Sequence, residues 1–270
     1  MKKISLVICD IDNTLVGHDK VLKPRTKKAI EDLRKKGILF GIASGRPLDE
    51  VMLNASKWGF ESQFDVVIGM NGADLWDGIH DKTYEYFRLD KKYIQEICEK
   101  MSSFEANPYL YRDGKILCGV RSEVMEASAA RANKPLISLE NNKEDLWSED
   151  NAKIMFRVVA DKMAPIEEFI NSNPSPFYKG FKTQATVVEF APHETSKAFA
   201  LEKFCEFNNI SIEEVASFGD TSNDNEMISV AGLGVCLLNG SDDTKALAND
   251  ITDLTCEEEG FADYVEKHIL

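Results

Sequence analysis

Both ends of the chain repeat one pattern: a short, nearly continuous apolar run, then a helical stretch, then another apolar run. Residues 4–9, 38–43 and 66–69 are strand candidates near the start. Between them, 24–36 opens on Pro24 and stops at Gly37, and 47–58 opens on Pro47 and stops at Gly59. Proline is tolerated in a first helical turn and glycine ends a helix, so both stretches read as helices. The pattern returns late, with strand candidates at 187–191, 215–219 and 233–237. Helical stretches at 196–207, 223–230, 244–248 and 261–269 accompany them. Strands this apolar have no polar face to turn toward water, which points to parallel strands covered on both sides. The expected fold class is α/β, a doubly wound, Rossmann-like parallel sheet assembled from both ends of the chain.

The middle breaks the pattern. Residues 109–111, 116–120 and 154–159 are strand-like, and two amphipathic helices lie among them. Tyr93, Ile94, Ile97, Cys98 and Met101 share one face of the first helix; Met163, Ile166, Phe169 and Ile170 share one face of the second. The expected organisation is a core made of 1–83 and 186–270, with an α+β domain inserted at 84–185.

Composition narrows the function. The net charge is −14 over 270 residues. Nucleic-acid partners recruit basic surfaces, so that class is disfavoured, whereas a small phosphorylated ligand needs only a locally positive pocket. No apolar run approaches the roughly 18 residues of a membrane span. The apolar stretch after Met1-Lys2-Lys3 is too short for a signal sequence, so the expected setting is cytoplasmic. Six scattered cysteines contain no CxxC pair, which argues against zinc and against a disulfide framework. No pair of the four histidines has metal-ligand spacing, and none is assigned a catalytic role.

In a parallel α/β sheet, ligands bind beyond the carboxyl ends of the strands. Four polar clusters fall at such positions: Asp10-Ile11-Asp12-Asn13-Thr14, Ser44-Gly45-Arg46, Lys197, and Gly219-Asp220-Thr221-Ser222-Asn223-Asp224. Each alone is ordinary turn or cap chemistry. In order, all at strand ends, they make one active site the better account. Carboxylates driven together at the end of a buried strand are tolerable beside a divalent cation, and Mg²⁺ takes hard oxygen ligands. Asp10 and Asp220 supply two such carboxylates. One carboxylate can attack phosphorus, and another, two residues on, can exchange protons with the leaving oxygen and with water. Ser44 with nearby backbone N–H groups can hold phosphoryl oxygens, and Lys197 can offset the remaining charge.

These clusters resemble the four motifs of the haloacid dehalogenase superfamily of phosphatases. Asp10 to Thr14 looks like its DxDxT motif, Ser44 its second, Lys197 its third, and Gly219 to Asp224 its GDxxND motif. The insert lies where the Cof-type subfamily carries a type IIB cap, and Ala43-Ser44-Gly45-Arg46 and Asn71-Gly72 are like that subfamily too. The resemblance implies Asp10 as nucleophile and metal ligand. It implies Asp12 as general acid/base with a ligating carbonyl, and Asp220 as the remaining carboxylate on Mg²⁺. It further implies a phosphate-binding set of Thr14, Ser44, Gly45, Arg46, Asn71, Lys197 and Asn223, with Asp224 orienting Lys197 or a metal-bound water. Asn13 and Ala198 stand where glycine is usual, and neither change removes a reacting group. The implied activity is hydrolysis of small phosphate monoesters, sugar phosphates first, through an aspartyl-phosphate. A phosphosugar mutase or phosphotransferase, or a non-catalytic phosphometabolite-binding protein, are the alternatives. The expected partner is a small phosphorylated metabolite, with no nucleic acid or membrane, and the expected state a monomer or small homo-oligomer. The resemblance also gives the insert the task of choosing the leaving group, with Tyr109, Tyr111, Arg112, Tyr178, Lys179 and Lys182 as candidates.

Overall fold

A computed structural model describes residues 3–270. The chain divides into two compact units. One runs to Glu85 and resumes at Ser196; the other is Tyr86–Thr195.

The first unit contains β1 (Leu6–Cys9), α1 (Pro24–Lys35), β2 (Leu39–Ala43), α2 (Leu48–Lys57) and β3 (Val66–Gly69). A hairpin follows, β4 (Asp74–Asp77) and β5 (Lys82–Glu85). In the second unit lie α3 (Lys91–Met101), β6 (Asn107–Arg112), β7 (Lys115–Cys118), α4 (Glu123–Ala132), β8 (Leu136–Ser138), β9 (Ile154–Arg157), α5 (Met163–Ser172), β10 (Lys179–Gln184) and β11 (Val187–Ala191). The chain then returns with α6 (Lys197–Phe207), β12 (Val215–Gly219), α7 (Asn225–Val230), β13 (Leu233–Cys236), α8 (Asp242–Leu247), β14 (Asp250–Ile251) and α9 (Gly260–His268).

The first sheet has the order β14-β13-β12-β1-β2-β3-β4-β5. It is parallel from β14 to β3, and only the β4–β5 hairpin runs antiparallel. All four residues of β1 are fully buried. Val7 and Cys9 pack in a core with Ile30 and Leu33 of α1, Val51 and Ala55 of α2, and Phe261 and Val265 of α9. Leu6 and Ile8 alternate to the other side and are equally buried, so helices cover both faces as a parallel sheet requires. On α1, Thr26, Ala29, Ile30 and Leu33 recur at the three- and four-residue spacing of one helical face. Full burial of a Leu or Ile side chain contributes about 1.5–3 kcal/mol.

The second unit is a six-stranded sheet, β10-β11-β9-β6-β7-β8, antiparallel except for the β7–β8 pair. Ile94, Ile97 and Met101 of α3 and Met163 and Ile166 of α5 fill one core with Leu110, Ile154, Phe156 and Val188 of the sheet. On the other face, Met125 and Ala129 of α4 pack against Tyr109, Ile116, Cys118 and Met155. The sequence reading has no helix at α4, whose buried face of Met125, Ala129 and Ala132 is mostly alanine and so makes only a weak apolar stripe.

One expectation is corrected. Residues 187–191 read as a strand of the parallel core, which set the boundary at 185/186. They form β11, an inner antiparallel strand between β9 and β10 of the second sheet. All five of its residues are buried. A fully buried antiparallel strand has the same local pattern as a parallel one, and only its partners tell them apart. The unit boundaries accordingly fall at Glu85/Tyr86 and Thr195/Ser196.

Candidate active site

The polar clusters of the first unit meet at the carboxyl ends of its central strands. β1 and β12 are parallel neighbours, with Cys9 opposite Phe218. The Asp10 N–H extends the ladder by one bond, donating to the Phe218 carbonyl at 2.9 Å. Asp10 and Asp220 therefore leave adjacent strand ends. Thr14 Oγ1 donates to Asp220 Oδ1 at 3.2 Å, tying the two loops together.

Lys197 enters this group from the first turn of α6, where the Ser196 hydroxyl caps the helix by accepting from the Phe199 N–H. It does not follow a strand of the first sheet, as the sequence reading supposed. Its Nζ donates to Asp10 Oδ1 and to Asp224 Oδ1, each at 2.6 Å. The second oxygen of Asp224 accepts the backbone N–H groups of Asp220 and Thr221 at 3.0 and 3.3 Å. Both Asp224 oxygens are thus engaged in holding Lys197 and the loop.

Three carboxylates around one ammonium leave an excess of negative charge in a buried place. Burial, then the charge of Asp224 and Asp12, push the Asp10 carboxyl up to about 7 despite Lys197. Burial, then Asp10 and Asp224, push Asp220 up to about 8. Burial works against the Lys197 ammonium, yet Asp10 and Asp224 outweigh it and hold the lysine charged. Asp10, Asp220 and Asp224 are buried and each presents an oxygen within 4.8 Å of the others'. A hard divalent cation fits this donor set, because it takes carboxylate oxygens and cancels the repulsion that raises both acids.

Asp12 lies in different surroundings. Arg46 Nη2 donates to both of its oxygens, at 2.8 and 2.7 Å. Lys20 Nζ is 2.9 Å from Asp12 Oδ1. Although burial acts the other way, Arg46 and Lys20 hold the Asp12 carboxyl below its ordinary value. Arg46 also donates from Nη1 to Glu50 Oε1 at 3.2 Å. The arginine expected on phosphate therefore spends its terminal nitrogens on two carboxylates. Neither Lys20 nor Glu50 was picked out from sequence. Glu50 lies in the first turn of α2 and Arg46 just before that helix, so no helical spacing marks their contact, and Lys20 carries no sequence signal either.

Ser44 is buried, and its hydroxyl accepts the Arg46 N–H at 3.3 Å. Its carbonyl accepts the Asn71 N–H at 3.0 Å. Asn223 Nδ2 donates to Asn71 Oδ1 at 3.4 Å. At Gly45 a Cβ atom would come within 3.1 Å of Asn71 Oδ1, so the approach of these loops leaves little room for a side chain. Asn13, in place of the usual glycine, takes a left-handed backbone with φ of 63°, which asparagine tolerates. All eleven candidate residues lie in the first unit. Ten are linked by direct bonds into two adjoining groups around Asp10 and Asp12, and Gly45 sits beside Asn71 in the second.

In the second unit, Arg112 donates to the carbonyls of Asp145 and Leu146, at 2.7 and 3.1 Å, and so braces a loop. Tyr178 is buried, its hydroxyl bonded to Glu96 and Lys100 at 2.8 and 3.1 Å. Tyr178 and Lys179 line a cavity of about 220 Å³ together with Lys100, Phe190 and His193. Lys182 pairs with Glu167 at 3.5 Å. All six cysteines are free thiols. Among the described residues, no helix is long and apolar enough to cross a membrane.

Comparison with known proteins agrees with this geometry. Residues 7–265 match the family model of haloacid dehalogenase-like hydrolases. Phosphatase YwpJ of Bacillus subtilis is 27% identical, over 99% of this chain and 100% of its own length. The 5-amino-6-(5-phospho-D-ribitylamino)uracil phosphatase YcsE of the same organism is 26% identical, over 94% of this chain and 92% of its own. The solved structure of a sugar phosphatase of subclass IIB superposes with a TM-score of 0.82 at 20% identity, covering 97% of this chain and 98% of that one. A buried lysine bridging the carboxylates of two distant loops, on this fold and along this length of matching sequence, makes the chain a Cof-type member of the haloacid dehalogenase-like hydrolase family.

Proposed function

We propose that this protein is a Mg²⁺-dependent phosphatase acting on small phosphate monoesters, with a phosphorylated sugar or polyol as substrate. The carrying observation is Lys197, which bridges Asp10 and Asp224 at 2.6 Å beside Asp220. The phosphatase names of relatives matched over nearly their whole length support the reaction class. One of those names describes a phosphorylated ribityl group, which supports the polyol class.

Asp10 and Asp220 would hold the cation, which would supply charge neutralisation and polarise a phosphoryl oxygen. The Lys197 ammonium on Asp10 Oδ1 favours the ionised carboxylate, one oxygen of which attacks phosphorus. The Asp10 O–P bond forms as the ester P–O bond breaks, and Asp12 gives a proton to the departing oxygen. Water then attacks phosphorus, Asp12 takes its proton, and the Asp10 O–P bond breaks to release phosphate. The grip of Arg46 and Lys20 favours the ionised Asp12 that the second half needs. For the first half, Asp12 must gain a proton against that grip. Ser44, Gly45, Asn71, Asn223 and Thr14 frame the phosphoryl site. A partner that is not nucleic acid accords with the net charge of −14.

The test is Asp10→Asn, assayed with p-nitrophenyl phosphate and Mg²⁺. Turnover falls at least about 10⁴-fold while the circular dichroism spectrum is kept. Near-normal activity in the folded variant overturns the covalent route.

A further inference from the structure

The loop after β3 carries no charged group, yet its backbone is the most unusual near the site. Met70, Asn71 and Gly72 have φ of 50°, 57° and 102°, three left-handed residues in succession. Only glycine adopts this region without a steric penalty. Strain of this kind persists where the surroundings over-determine the backbone, and it gathers at functional sites.

The surroundings here are the loops that bear the candidate chemistry. The Met70 N–H donates to the Arg46 carbonyl at 2.9 Å and the Asn71 N–H to the Ser44 carbonyl at 3.0 Å. Asn71 Oδ1 accepts from Asn223 Nδ2 at 3.4 Å, which reaches the loop after β12. On its far side the turn presses on the start of α6. A Cβ atom at Gly72 would lie 1.9 Å from the Ser196 carbonyl oxygen and 3.1 Å from the Lys197 nitrogen. Ser44 ends a strand and Lys197 begins a helix, so nothing in either element alone sets their separation.

We propose that Met70-Asn71-Gly72 is a positioning device that sets Ser44 and Asn223 against the Lys197 end of α6, and thereby shapes the phosphoryl seat. Asn71 holds its neighbours in place: its backbone N–H is on the Ser44 carbonyl and its Oδ1 on Asn223 Nδ2. Gly72 is required because any side chain there would push the backbone that carries Lys197. This inference rests on the phosphatase reading for the identity of what is seated.

The experiment compares wild type with Asn71→Gly, which keeps left-handed freedom and loses the amide, and with Gly72→Ala. Three quantities are read: the melting temperature, kcat/KM for p-nitrophenyl phosphate, and the calorimetric affinity for inorganic phosphate in Mg²⁺. Asn71→Gly is expected to melt within about 3 °C of wild type. Its kcat/KM is expected to fall at least about tenfold, and its phosphate affinity at least about fivefold. Mg²⁺ affinity without phosphate is expected to change less than phosphate affinity, because Asp10 and Asp220 make no direct bond to Asn71. Gly72→Ala loses more on both counts. A merely structural turn would lower the melting temperature and leave phosphate affinity of the folded protein unchanged. If Gly72→Ala does not fold, Asn71→Gly decides alone. Wild-type phosphate affinity in Asn71→Gly overturns the inference. If wild type binds phosphate without hydrolysing the ester, the phosphatase reading fails, and the affinity loss still decides the role of the turn. If wild type does neither, both fall.

Discussion

Among the described residues two buried lysines sit on carboxylates, one in each unit, and they are built alike at the level of the single contact. Lys197 Nζ is 2.6 Å from Asp10 Oδ1, and Lys153 Nζ is 2.7 Å from Glu189 Oε2. Neither side chain is more than 2% exposed. They differ in their charge balance. Lys153 meets Glu189, whose other oxygen accepts from Thr183 at 3.3 Å. Lys197 faces two directly, with a third close by, and Asp10 and Asp220 are driven up toward the neutral form. A balanced buried pair is a structural device that specifies a packing arrangement; an unbalanced one is an electrostatic demand that a cation or a bound ligand meets. Burial and short distance alone do not separate the two.

Removing each lysine sharpens that contrast. Lys197→Met should lower kcat with p-nitrophenyl phosphate by about 10³-fold or more, since the charge that offsets the phosphoryl group is gone. Its stability should fall less than a lost buried pair usually costs, because protonation of the raised carboxyls relieves the vacancy. A variant with normal kcat would erase the distinction. Lys153→Met should act mainly on stability, lowering it by about 3–5 kcal/mol by taking the ammonium away from the buried Glu189 carboxylate. Removing both partners, in Lys153→Met with Glu189→Leu, should recover most of that loss in thermal melts. If the double variant is as unstable as the single, the pair is not balanced in the sense argued here.

A further contrast lies in the dependence of metal-free stability on pH. Asp10 and Asp220 titrate higher in the folded protein than in the unfolded chain. The native state then holds protons that the unfolded chain has released, so their favourable contribution is complete below about pH 4. It is lost as pH rises through about 7 and 8. In chelator, the melting temperature should therefore drop between pH 5.5 and 8.5. Saturating Mg²⁺ should restore it, by about 2.7 kcal/mol at a hundred times the dissociation constant. Asp220→Asn should flatten the drop and abolish the rescue. A rising melting temperature over that range in chelator would contradict the electrostatic account of the site.

Much of this organisation is legible in particular residues. Leu6 to Cys9 announce a buried strand by composition, and the carboxylates that follow announce chemistry because burial makes them costly without a partner. Pro24, Gly37 and Gly59 mark helix ends through backbone geometry that any context imposes. The amphipathic stripes of α3 and α5 are legible for the same reason, since period and burial are local.

What the chain decides by itself is thus the kind of element at each point and the chemical groups at its ends. The partner of each element belongs to the tertiary structure. Val187 to Ala191 look the same whether they lie in a parallel or an antiparallel sheet, and their place between β9 and β10 is a fact of pairing. Arg46 could serve a phosphate or a carboxylate, and its bonds to Asp12 and Glu50 follow from which loops meet. The strain of Met70 and Asn71 exists only because neighbouring backbone holds them there. Periodicity and propensity act over a few residues, whereas charge balance and backbone strain are set by groups brought together from distant parts of the chain.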